Sequence, residues 1–129
     1  MKKILVVFLF FLASQLLYAQ QTQILSNKHH LFEEGKSLFV QKKYGMAKKA
    51  FQSYLSEVNE NSGFYADASY YIACASYELN DPNSESILKT FVEKYPYYPM
   101  QKRIAFMLGR LYFEQKKYKQ AINYLGQVD

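Results

Sequence analysis

Few residues of this 129-residue chain have the types and spacings that do chemistry. His29 and His30 are its only imidazoles, and neighbours on a helix point about 100° apart, so the pair cannot close on one ion. Cys74, the single cysteine, lies in the apolar run Tyr70-Tyr71-Ile72-Ala73-Cys74-Ala75. It reads as a small buried hydrophobe rather than a nucleophile, and a lone thiol closes no internal disulfide. Glu33 and Glu34 are consecutive on a helix, so their carboxylates cannot face each other across a reacting group. The sequence holds no Gly-rich phosphate loop, no metalloprotease helix motif and no Ser or Cys nucleophile beside a base. The expectation is a protein that is not an enzyme, with no catalytic residue, no metal and no cofactor.

With no reacting centre to position, the elements themselves carry the information. Half of the residues are hydrophobic, Tyr (13) and Phe (10) dominate among the aromatics, and there are only five Gly and three Pro. That supplies apolar surface for one helical core and too few turn residues for an all-β fold. The start, Met1-Lys2-Lys3 followed by the apolar run Ile4 to Ala13 and then Ala19-Gln20, has the form of a cleavable export signal. The expected division is therefore a signal over 1–19, a polar lead over 20–27 and a helical domain over 28–129. No Cys follows the signal, so a bacterial lipoprotein anchor is not expected. Removing 1–19 takes two lysines and no acid, leaving (16 − 2) − 11 = +3. The cations are spread and interleaved with Glu, which disfavours nucleic acid as a partner. The lysine pairs at 42–43, 48–49 and 116–117 read as solvated surface.

Apolar residues recur at steps of three and four in six segments. Leu31, Phe32, Gly35, Leu38 and Phe39 mark the first, and Met46, Ala47, Ala50, Phe51, Tyr54 and Leu55 the second. A third helix is expected from about Phe64 to Leu79, ended by Asn80-Asp81-Pro82, with Asn83 or Ser84 capping a fourth that stops at Tyr95-Pro96. Pro99 is placed to open a fifth helix, and Tyr118, Ala121, Ile122, Leu125 and Val128 lie on a sixth. No segment combines strand alternation with hairpin turns, so no sheet is expected.

A shift of 74 positions lays Gln41-Lys42-Lys43-Tyr44 on Gln115-Lys116-Lys117-Tyr118, Gly35 on Gly109, Phe39 on Phe113 and Ala47 on Ala121. That distance requires a middle unit, in which Cys74 takes the small-residue position and Tyr77 follows three later. The small Ala of its second helix is replaced by Ser86 or Ile87, which predicts a shifted or shortened helix. Short side chains at these positions let paired helices approach while large residues fill the gaps.

Repeat spacings near 34 residues, with a small residue, an aromatic three later and an Ala followed by a large residue, resemble the tetratricopeptide repeat. The resemblance implies an all-α superhelix of about three hairpins, over 28–62, 64–96 and 99–129. It implies packing roles for Gly35, Ala47, Phe51, Cys74, Tyr77, Gly109, Tyr112 and Ala121. The run Phe91-Val92-Glu93-Lys94-Tyr95-Pro96, with Ala105, Leu108-Gly109 and Tyr112, resembles the periplasmic subgroup of this family. That implies a scaffold or adaptor in the bacterial cell envelope, exported and periplasmic or associated with the outer membrane, reaching a membrane only through its partners. Family groove positions carried onto this chain fall on Phe32, Lys36, Phe39, Tyr71, Arg103, Phe106, Arg110 and Phe113 as candidate contacts to a protein or peptide partner. They also include His29, Ala68, Ala75 and Glu78. Repeat arrays close with a polar capping helix, and none follows the sixth segment here. Two expectations follow: the chain is the N-terminal part of a longer array, or it self-associates through the uncapped last repeat. An alternative reading is an exported sensory or scaffolding module ahead of an effector.

Overall fold

A computed structural model describes residues 27–128 of the chain. The expected signal at 1–19 and nearly all of the polar lead lie outside the described residues. Among the described residues six helices follow one another: α1 (27–40), α2 (Tyr44–Glu57), α3 (Tyr65–Glu78), α4 (Ser84–Lys94), α5 (Gln101–Glu114) and α6 (Tyr118–Leu125). There is no strand among the described residues, and none of these helices is long and apolar enough to cross a membrane.

Each odd-numbered helix ends in the same backbone device. Lys42, Asn80 and Lys116 take positive φ (59°, 49° and 61°). The next amide, on Lys43, Asp81 or Lys117, donates back five residues to the carbonyl of Leu38, Ser76 or Tyr112. This left-handed stop satisfies helix-end carbonyls and turns the chain straight into the next helix. None of α2 to α6 has a side-chain N-cap. At α4 the expected cap by Asn83 or Ser84 is replaced by Asp81, whose Oδ1 accepts the Asn83 amide at 2.9 Å and whose carbonyl accepts that of Ser84. At α5 the capping position is Met100, so Pro99 sits two residues before the helix rather than opening it.

The shared turns fix which residues correspond. Gly35 and Gly109 stand seven before Lys42 and Lys116, and seven before Asn80 stands Ala73. The middle unit's small residue is therefore Ala73 rather than Cys74, though both are fully buried. By the same register Ser76 matches Leu38 and Tyr112, so Tyr77 corresponds to Phe39 and Phe113. In the second helices, Ala47 and Ala121 lie five beyond the turn residue and buried Ser84 four, and α4 starts only at Ser84 because the connection before it (79–83) is longer than those at 41–43 and 115–117. Ser84 (5% exposed), and neither Ser86 nor Ile87, is the small residue there. Helix α4 is correspondingly shortened to 11 residues against 14 in α2.

Close approach explains the glycines. A Cβ on Gly35 would stand 2.8 to 3.0 Å from the Phe51 ring, and one on Gly109 would stand 2.7 Å from Leu125 Cγ. The hairpins then stack on one another, α2 on α3 and α4 on α5, with α3 also touching α5. Phe32, Phe51, Tyr54 and Ala68 centre one core cluster. Leu88, Ile104, Leu108 and Tyr112 belong to the other, which takes in Ala73, Cys74 and Ala121. Complete burial of a side chain such as Phe51 or Leu88 contributes about 1.5–3 kcal/mol.

Two lysines first read as solvated surface tie one hairpin to the next. Lys48 of α2 pairs with Asp81 of the α3–α4 turn, and Lys117 of the α5–α6 turn lies 3.5 Å from Glu85 of α4. Gln115 also donates to Glu85, at 3.1 Å. These hydrogen bonds, Gln115's foremost, hold the Glu85 carboxyl below its ordinary range, as the Lys48 bond does for Asp81.

Candidate partner-binding groove

The first helices of the hairpins lie side by side and leave a groove of about 490 Å³. Helix α1 lines it with Phe32, Lys36, Phe39 and Val40, and α3 with Asp67, Tyr70 and Tyr71 after Phe64. Tyr98 and Met100 enter from the α4–α5 turn, and Arg103 stands at the start of α5. Steps of three and four bring the α1 residues onto one face.

Its walls are aromatic rings held by one another. Phe32 stacks on Phe64 at 4.8 Å between centroids and meets Phe51 edge-on at 5.7 Å. Tyr71 lies flat against Phe51 at 4.9 Å and edge-on to Phe39 at 5.1 Å. Tyr70, Phe91 and Tyr98 form a second group, with centroids 5.3 to 6.1 Å apart. The Tyr98 hydroxyl donates to Asp67 Oδ1 at 2.5 Å, and burial together with that carboxylate pushes the phenol well above its usual range. A surface so braced meets a partner with little rotamer freedom left to lose.

The charges divide unequally. Lys36 reaches Glu33 at 3.2 Å and lies 5.6 Å from the Phe32 ring centroid, so it is partnered on its own helix. Arg103 is exposed and forms no ion pair with a carboxylate among the described residues. Its polar neighbour is the Tyr70 phenol, itself pushed up to about 12, chiefly by burial. Cys74 beneath is pushed up to about 11, again by burial, so the thiol stays protonated and unreactive near neutrality. Among the described residues no group of three His, Cys, Asp or Glu could hold a metal ion.

Five of the eight residues picked from sequence line this groove: Phe32, Lys36, Phe39, Tyr71 and Arg103. Phe32, 3% exposed, serves as its floor rather than as a free contact. The other three lie further along α5, outside the lining. Phe106 is exposed, Arg110 pairs with Glu114 at 3.5 Å, and Phe113 packs edge-on against Tyr118. Of the remaining carried-over positions, Ala68 and Ala75 are fully buried, while His29 and Glu78 are exposed. Sequence reasoning missed Phe64, Tyr98 and Met100, which sit at turns and helix starts where a helix-face rule does not look. It also missed Val40 at the end of α1 and Asp67 and Tyr70 on α3.

A family model described as tetratricopeptide repeat matches residues 67–96 and 105–128, most of the second and third hairpins. The first hairpin lies outside the match, although its Gly35, Ala47 and Phe51 stand where the third has Gly109, Ala121 and Leu125. No curated protein and no solved structure matches the chain. Repeats of this kind generally mediate protein–protein interaction, and the proteins built from them are generally non-enzymatic scaffolds. The matched segments, taken with helices that pair through small residues and stack as successive hairpins, support a tetratricopeptide-repeat protein.

Proposed function

We propose that this chain is a protein-interaction scaffold of the bacterial cell envelope, and that the groove between α1, α3 and α5 holds an extended segment of a protein partner. The observation that carries this reading is Arg103, an exposed guanidinium without a carboxylate partner, beside a wall of braced aromatic rings. A partner segment with apolar side chains against Phe39 and Tyr71, and an acidic side chain or chain terminus near Arg103, satisfies both features. The envelope setting rests on the signal-like start, with its basic Lys2-Lys3, short apolar run and Ala19-Gln20 junction. On this reading the protein is exported without a lipid anchor and meets membranes through its partners.

Selection from a displayed peptide library tests the groove. The expected winners combine apolar or aromatic residues with an acid, and Arg103→Glu weakens them at least about tenfold, the loss of one charge-assisted contact. Arg110→Glu, off the groove and already paired, serves as the control and leaves binding intact. Peptides that bind Arg103→Glu as well as the parent sink the reading. Mass measurement of the exported chain addresses the location, with Gln20 as the expected first residue.

A further inference from the structure

The three hairpins share a clasp position, and its third occurrence is left open. Equivalence through Ala47, Ser84 and Ala121 aligns the residues that follow them: Lys48, Glu85 and Ile122. The residues just after the left-handed turns align likewise as Lys43, Asp81 and Lys117. At both junctions within the chain, the first kind of residue reaches the second kind on the next hairpin. Lys48 pairs with Asp81, and Glu85 with Lys117. The order of charge reverses from one junction to the other, so each clasp rejects the other's partner by like-charge repulsion. At the third position the ion is gone. Ile122 is 72% exposed, whereas the clasped Lys48 and Glu85 side chains are 17% and 34% exposed. Exposed Tyr118 and half-buried Leu125 and Val128 accompany it.

We propose that the outer face of α6 is a docking surface for a helical hairpin whose turn carries an apolar residue at the position of Asp81 and Lys117. This is a second surface, independent of the groove. The face continues the geometry of two existing junctions, which defines the kind of occupant, and Ile122 defines its chemistry. A charged turn residue set against Ile122 loses water and finds no counter-ion, whereas an apolar one removes exposed isoleucine from water. A second copy stacked head to tail would bring Lys43 to Ile122, the mismatch the clasp excludes.

The test extends the full chain by a hairpin of known fold. Residues 55–94 are joined after Val128, which preserves the 74-residue register, and Asp81 of the added copy is kept or changed to Lys or Leu. Thermal unfolding, helicity and sedimentation are measured for each. The Leu version is expected to gain helicity over the unextended chain and to melt roughly 2–4 °C above the Asp and Lys versions. In an Ile122→Glu background the order switches and the Lys version melts highest. An added copy that gains no helicity, or the same rank order in both backgrounds, overturns the proposal. So does a stable dimer of the unextended chain that Ile122→Glu dissociates, since a second copy would then be the occupant.

Discussion

Replacing Gly35 by Ala separates two effects of opposite sign. In a helix interior, Ala in place of Gly raises stability by about 1 kcal/mol through backbone entropy alone. Here the added methyl would stand 2.8 to 3.0 Å from three ring atoms of Phe51. That ring cannot swing aside, being stacked on Tyr71 at 4.9 Å and met edge-on by Phe32 at 5.7 Å. Overpacking of this kind costs about 1–3 kcal/mol, so the net change should be a loss on the order of 1 kcal/mol. Phe51→Ala alone should cost about 3–5 kcal/mol, because the ring is fully buried. In that background the clash is gone, and Gly35→Ala should become stabilising by about 1 kcal/mol, a coupling of roughly 2 kcal/mol across the pair. Urea unfolding of the four proteins, followed by far-ultraviolet circular dichroism, reads this directly. If Gly35→Ala raises the midpoint of the otherwise unaltered chain, the first two helices do not meet at this point and the packing argument is wrong. A Phe51→Ala loss below about 1 kcal/mol would place that ring at the surface instead.

Lys42 and Lys116 hold φ near +60°, where a side chain is strained, so Lys42→Gly and Lys116→Gly should each raise stability by about 0.5–1 kcal/mol. Asn80→Gly should gain less, since Asn tolerates that conformation; equal gains at all three sites would dissociate the effect from the turn. Burial raises Tyr70 and Tyr112 to about 12 and Cys74 to about 11, above ordinary values of 10.0 and 9.0. The folded chain therefore keeps protons that the unfolded chain releases, and stability should be level from about neutrality to about pH 9 and fall from there through pH 12. Unfolding midpoints that rise across that interval would contradict the burial of these groups. Over the same measurements Cys74 should react with a disulfide reagent only at the rate of unfolding, and an immediate reaction at pH 8 would place the thiol at the surface.

What was legible in the sequence follows from where geometry is local. Gln41-Lys42-Lys43-Tyr44 and Gln115-Lys116-Lys117-Tyr118 read as one element twice because the same residues make the same left-handed stop. The middle hairpin hid its register. Its turn is a different sequence, Asn80-Asp81-Pro82, with the small residue four rather than five beyond the left-handed residue, so counting from Gly35 and Gly109 landed on Cys74 and on Ser86 or Ile87 instead of Ala73 and Ser84. Asn80 was the available signal, as the residue most at ease with positive φ after Gly. The groove was legible along α1, where a single helix face sets it, and fell away along α5. Its far wall depends on how the chain travels from Tyr95 to Met100. The ion pairs of Lys48 and Lys117 join residues 33 and 32 positions apart, and nothing local distinguishes those lysines from solvated ones.

The claim beneath the groove and the docking face alike is that the two helices of a hairpin close on each other at Gly35 and at Gly109. Proton nuclear Overhauser spectroscopy on the folded chain reads those approaches directly. The account predicts strong cross-peaks from a Gly35 α-proton to the Phe51 ring and from a Gly109 α-proton to the Leu125 methyls, with the Gly35 resonance displaced by the ring current. Sharp glycine signals at ordinary shifts, with no cross-peak to either side chain, would contradict it.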